Sequence, residues 1–114
     1  MKGLVIGRFQ PVGNNHTAML KEVDRLGLDE IVLGIGTKKS SRLDNRNPFY
    51  FEEVYEMWKP ELGSLLAPVK VFRIPDIEDA PKYASHVEKI TKVKASDTVV
   101  ISGNENTLDC FVNY

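Results

Sequence analysis

Two cationic side chains bracket one loop near the start of the chain. Arg8 follows the apolar run Leu4-Val5-Ile6-Gly7, and His16 follows Gly13-Asn14-Asn15. The free N–H groups and positive dipole end of a helix attract anions, so a His at a helix start and an Arg at the end of the preceding strand would converge two donors on one crevice. The same pair also fits a solvated loop Arg and an ordinary first-turn His. The loop has no Gly-rich cradle with a Lys, so it is neither a dinucleotide fingerprint nor a Walker loop. Lys38, Lys39, Arg42 and Arg46 add positive charge further on, which fits either an anion site or a solvated basic loop. No triad appears. Cys110 has no base near it in sequence and reads as a small filler.

These residues need elements to hold them. Lys2 to Gly7 is a nearly continuous apolar run, the pattern of a strand covered on both faces. Met19, Leu20, Val23 and Leu26 recur at helical spacing, with Gly27 as the stop. Ile31 to Ile35 repeats the strand signal. Asn47-Pro48 then reads as a cap with Pro at the first helical position, opening a helix with Phe51, Val54, Tyr55 and Trp58 on one stripe and ending at Pro60. Val69 to Ile74 and Thr98 to Ser102 are two more strands, Tyr83 to about Thr91 a third helix, and Glu105 to Val112 a weak last one. Strands alternating with helices predict an α/β fold, a Rossmann-like parallel sheet of about four strands with helices on both faces. Ligands of such sheets lie beyond the carboxyl ends of the strands, so the loops that matter are 7–16, 34–47, 75–83 and 102–105.

With 114 residues the chain has room for one small domain, 1–114. Fifteen Lys and Arg against 16 Asp and Glu leave a formal charge of −1, which removes the electrostatic case for a nucleic-acid partner. Composition is ordinary for a globular chain, at 42% apolar and 27% charged, and no run reaches the roughly 20 apolar residues of a membrane span. The start lacks the pattern of a secretory signal, and the single Cys110 can form no internal disulfide or zinc site. The expected setting is a reducing cytoplasm.

Gly7-Arg8-Phe9-Gln10-Pro11, with His16 five residues on, resembles the opening motif of the archaeal-type nicotinamide mononucleotide (NMN) adenylyltransferases of the nucleotidyltransferase superfamily. That superfamily carries His-x-Gly-His at this junction. Here the second His is His16, Asn15 stands for the Gly, and Gly13 stands where the first His would be. Asn tolerates positive φ best among the larger residues, which would preserve the turn. Gly34-Ile35-Gly36-Thr37 resembles the family's strand-end loop, and Arg46-Asn47-Pro48-Phe49 its Arg-Asp/Asn-Pro-Phe, whose Arg reaches nucleotide phosphates. Pro75-Asp76-Ile77-Glu78 resembles the segment whose Asp helps bind the nicotinamide nucleotide. Tyr83 stands where the family has a Trp that stacks on the nicotinamide ring, and Ser102-Gly103-Asn104 resembles a turn beside the adenosine. His86 coincides with a family His and reads more simply as structural.

The resemblance implies adenylyl transfer from ATP to NMN, giving NAD and pyrophosphate, with Mg²⁺ accompanying ATP. Arg8, His16 and Arg46 would act on the phosphates. Gly7, Phe9, Gln10, Gly13, Gly36, Asp76, Tyr83, Ser102, Gly103 and Asn104 would bind the nucleotides, and no protein metal ligand is implied. It also implies a homo-oligomer. The family's distal Ser/Thr-rich turn and its Arg find no match before Tyr114. With Gly13, that leaves two further readings: a nucleotide-binding module with little or no turnover, and a nucleotidyltransferase acting on another phosphate acceptor.

Overall fold

Each apolar run is followed by a helical crossover that returns the chain to the same end of the sheet, so all four strands run parallel. The computed structural model describes residues 1–38, 43–45, 47–77, 79–103 and 105–111, without the side chains of Glu105 and Asn106. Strand β1 spans Lys2–Gly7, β2 Glu30–Thr37, β3 Val69–Pro75 and β4 Thr98–Ile101. Their spatial order is β3-β2-β1-β4. The two central strands read as unbroken apolar runs because helices cover both faces. Leu4, Val5, Ile31, Leu33 and Ile35 are fully buried. Edge strand β3 leaves Lys70 and Arg73 exposed while Ile74 points into the core.

Helices α1 (Asn14–Asp24) and α2 (Phe51–Leu62) lie on one face, where Leu20, Val23, Val54 and Trp58 pack with Val5, Leu33 and Ile35. The alternation of side chains along a strand sends Leu4, Ile6 and Val32 to the other face. There they meet Val87 of α3 (Tyr83–Thr91), with Phe111, just past the short α4 (Glu105–Asp109), packed alongside. Asp24 at the end of α1 accepts the N–H groups of Leu66 and Ala67 at 2.8 and 2.9 Å, fixing where the chain enters β3. Among the described residues no helix is long and apolar enough to cross a membrane.

Several boundaries differ from the sequence expectation. Helix α2 begins at Phe51 rather than behind Asn47, because the Tyr50 N–H is met by the Glu53 carboxylate at 3.0 Å while the Asn47 side chain is engaged elsewhere. Pro60 does not end that helix. It sits in the last turn, which runs on to Leu62 and stops at Gly63. Leu26, expected on the apolar stripe of α1, lies past the helix end and is 65% exposed. Gly27 takes φ +71° there, a left-handed turn that Gly adopts without steric cost. Strand β4 and helix α4 also end earlier than expected, at Ile101 and Asp109, and Val112 lies outside the described residues.

Trp58 is the largest fully buried side chain, and its indole N–H meets no acceptor among the described residues. Trp58→Ala is expected to cost about 3–5 kcal/mol in chemical denaturation. Trp58→Phe costs clearly less, because it removes an unsatisfied donor along with part of the ring.

Candidate functional site

The first loop is shaped from beneath by an aromatic ring. Phe9 has φ +52°, in the left-handed region, and its side chain turns inward to 5% exposure. The ring meets Trp58 edge-on at 5.0 Å and His16 edge-on at 5.0 Å. Gly7 lies directly over it: a Cβ there would come within 2.7 Å of the ring. Gln10 is equally architectural, since its carboxamide donates to the Phe49 carbonyl at 3.0 Å and accepts the Phe49 N–H at 2.8 Å. His16 closes the start of α1, its Nδ1 accepting the Gly13 N–H at 2.9 Å. Accepting at Nδ1 puts the proton of the neutral ring on Nε2, which leaves one donor at the helix N-terminus.

With Phe9 inward, Arg8 is turned outward over the strand ends. Its Nη1 donates to Asn47 Oδ1 at 2.8 Å and its Nη2 to the Asp76 carboxylate. Asp76 is delivered by the sheet, because its N–H donates to the Thr37 carbonyl at 2.8 Å and extends the β2–β3 pairing past the last register pair. The Arg8 stem crosses the end of β2 at Gly36, where an added Cβ would sit in ordinary contact, 3.5 Å from Arg8 Cγ. These groups open on a cleft of about 480 Å³ at the carboxyl ends of the strands. Gly7, Arg8, Gly36, Asp76, Tyr83 and Ser102 all line it.

Tyr83 forms one wall, half-buried and edge-on to Phe111 at 6.2 Å. Burial, and then the negative charge of Asp76, raise its phenol above the ordinary 10.0, with Arg8 opposing. His86 Nε2 lies 2.8 Å from the Pro75 carbonyl and ties α3 to the end of β3, a structural role. Gly103 is exposed in the bend after β4, outside the cleft lining. Phe9, Gln10, Gly13 and His16 likewise do not line the cleft. Arg46 and Asn104, with Lys39 and Arg42, lie outside the described residues. Sequence reasoning missed Asn47 as a partner of Arg8, and Thr107 and Cys110 as lining residues. Asp44, three residues before Asn47, was the available signal for a local side-chain turn. A five-residue helix such as α4 is too short for periodicity to show which face it offers. No group of three His, Cys, Asp or Glu able to hold a metal ion occurs among the described residues.

A parallel sheet in the order β3-β2-β1-β4, with a cleft over the carboxyl ends of its strands, has the architecture of a nucleotidyltransferase-type α/β domain. No protein-family model matches the chain. It is 38% identical over 112 residues to the nicotinamide-nucleotide adenylyltransferase of Methanococcus aeolicus, covering 97% of this chain and 62% of that protein. It is 36% identical over 91 residues to that of Halorubrum lacusprofundi, covering 80% of this chain and 51% of the relative. The chain therefore spans about half to three fifths of the length of these relatives. A bifunctional NMN adenylyltransferase/ADP ribose pyrophosphatase from Francisella tularensis shares the fold, with a TM-score of 0.73 at 18% identity over 99% of this chain and 36% of that one. The same protein complexed with AMP and a manganese ion gives a TM-score of 0.69, at 18% identity and with 99% of this chain and 35% of that chain covered. The chain is thus a homologue of the archaeal nicotinamide-nucleotide adenylyltransferases.

Gly7→Ala drives a methyl into the Phe9 ring, and about 1–3 kcal/mol of stability is expected to be lost in denaturant titration. A raised phenol pKa means that the folded state holds the Tyr83 proton more tightly than the unfolded chain does. Its contribution is complete below pH 10.0 and is lost as pH rises through the raised folded value. In ultraviolet titration one tyrosine should ionise above the others, and Tyr83→Phe should remove that step.

Proposed function

We propose that this cleft serves adenylyl transfer from ATP to NMN, giving NAD and pyrophosphate. The observation that carries the reading is Arg8, held over the strand ends by one neutral and one anionic acceptor. A phosphate arriving at the cleft can replace the Asp76 carboxylate on Nη2, which releases Asp76 to accept hydrogen bonds from the nicotinamide nucleotide. The nucleophile is a phosphate oxygen of NMN itself. It forms a bond to the α-phosphorus of ATP while the bond to the bridging oxygen of the pyrophosphate breaks, so the protein supplies no base and no covalent intermediate. Its contribution is alignment and charge stabilisation.

Arg8, the Nε2–H of His16 and Arg46 are the groups assigned to the phosphates. Tyr83, kept as a neutral phenol, offers a ring face to the flat cationic nicotinamide. Ser102 with Gly103 and Asn104 is assigned to the adenosine, and Gly7 and Gly36 leave the backbone open beneath the ligands. Mg²⁺ would enter on the ATP phosphates, as it commonly does, and supplies positive charge there. We take residues 1–114 as one nucleotide-binding domain working as a cytoplasmic homo-oligomer, a setting that agrees with a single cysteine, Cys110, which can form no internal disulfide.

Gly13 favours a second reading, a binding module with little turnover. Its φ of −108° is ordinary, and a Cβ there would meet only His16 Nδ1 at 3.9 Å, so the backbone accepts a side chain at the position where the chain carries none. The test is NAD and pyrophosphate formation from ATP, NMN and Mg²⁺. Arg8→Ala is expected to lower kcat/KM by about 10²–10³-fold, the usual loss of one preorganised donor. Gly13→His should fold normally and raise kcat. Binding of both nucleotides with no product would establish the module reading instead, and competition by other phosphorylated acceptors checks the choice of NMN.

A further inference from the structure

Arg8 touches two acceptors, and they differ in what an incoming phosphate can do to them. The Asp76 carboxylate neutralises the guanidinium, so phosphate competes with it. The Asn47 carboxamide oxygen carries no charge and directs the guanidinium without competing for it. A carboxamide can present either its oxygen or its NH₂, and only the oxygen accepts. The choice is made three residues earlier in the chain. Asp44 Oδ1 accepts the Asn47 backbone N–H at 2.7 Å and Asn47 Nδ2 at 3.1 Å, while Asp44 Oδ2 lies 2.7 Å from Lys38 Nζ at the end of β2. With its NH₂ held by a carboxylate, the carboxamide must turn its oxygen toward Arg8.

We propose that Asp44 is a positioning residue: it sets the orientation of the Asn47 carboxamide and thereby the direction in which Arg8 meets a phosphate. The inference rests on the adenylyl-transfer reading only for which phosphate arrives. Lys38 and Asp44 are 36% and 38% exposed, where ion pairs add little stability, so the chain of contacts shows itself in orientation rather than in folding.

Charge alone makes the opposite prediction. Removing a carboxylate beside an anion site, and freeing Lys38, would tighten phosphate binding, whereas loss of positioning weakens it. The experiment uses the full chain with Asp44→Ala, Asp44→Asn and Asn47→Ala, first without any nucleotide. The Arg8 side-chain Nε–Hε resonance should move or broaden in Asp44→Ala as it does in Asn47→Ala. Asp44→Asn, which keeps an oxygen for the Asn47 NH₂, should leave it nearer to wild type. Affinity for ATP should then fall about three- to tenfold in Asp44→Ala, and the same substitution should change nothing in an Arg8→Ala background. An unmoved Arg8 resonance, tighter ATP binding, or a loss that persists without Arg8 overturns the proposal. A protein that makes no NAD but shows the resonance shift loses the adenylyl-transfer reading and keeps this one.

Discussion

The burial of Phe9 is the interaction on which the rest of the site depends. Its ring fills the space under Gly7 and contacts both Trp58 in the core and His16 at the start of α1. Covering a ring of that size is worth on the order of 1.5–3 kcal/mol, enough to hold a left-handed backbone that costs roughly 1–2 kcal/mol in a non-glycine residue. One residue back, the same turn aims Arg8 away from the core and over the strand ends. A hydrophobic contact therefore positions a charge, and it does so through Phe9 and Trp58, which do not line the cleft.

Electrostatically the cleft is balanced before any ligand arrives. Arg8 and Asp76 share a hydrogen bond at its mouth, both about two fifths exposed, so the pair stabilises the fold little. Its effect is on what the cleft can accept: an anion finds a cation whose partner can be displaced. Tyr83 beside them is a neutral phenol at ordinary pH, and burial extends that neutrality further into the alkaline range, so no second negative charge enters the same space.

Much of the architecture could be read along the chain. Period-two and period-3.6 patterns are local properties, so the four strands and the helix at Tyr83–Thr91 were visible in the order of apolar residues. Boundaries set by side-chain competition were not. Asn47-Pro48 has every local mark of a helix start, yet the Asn47 side chain bonds Asp44 and Arg8, and the helix waits for Tyr50 and Glu53. Gln10 belongs to a motif that suggests ligand contact, but both ends of its amide are taken by Phe49, 39 residues away in the chain. His16 showed its dual nature only in part, since the bond to the Gly13 N–H that makes it a cap is invisible in spacing.

By itself, the sequence determined which segments are strands and helices, that the sheet is parallel, and which end of it carries the polar loops. Those follow from periodicity and from the handedness of crossovers, which act over a few residues at a time. Only the tertiary structure decided what Arg8 binds. Its two acceptors lie 39 and 68 residues further along the chain, and they meet it because β1 pairs with β2 and β2 with β3. Hydrogen bonds reach about 3 Å, so the choice of partner belongs to the packed sheet and not to any spacing in the chain.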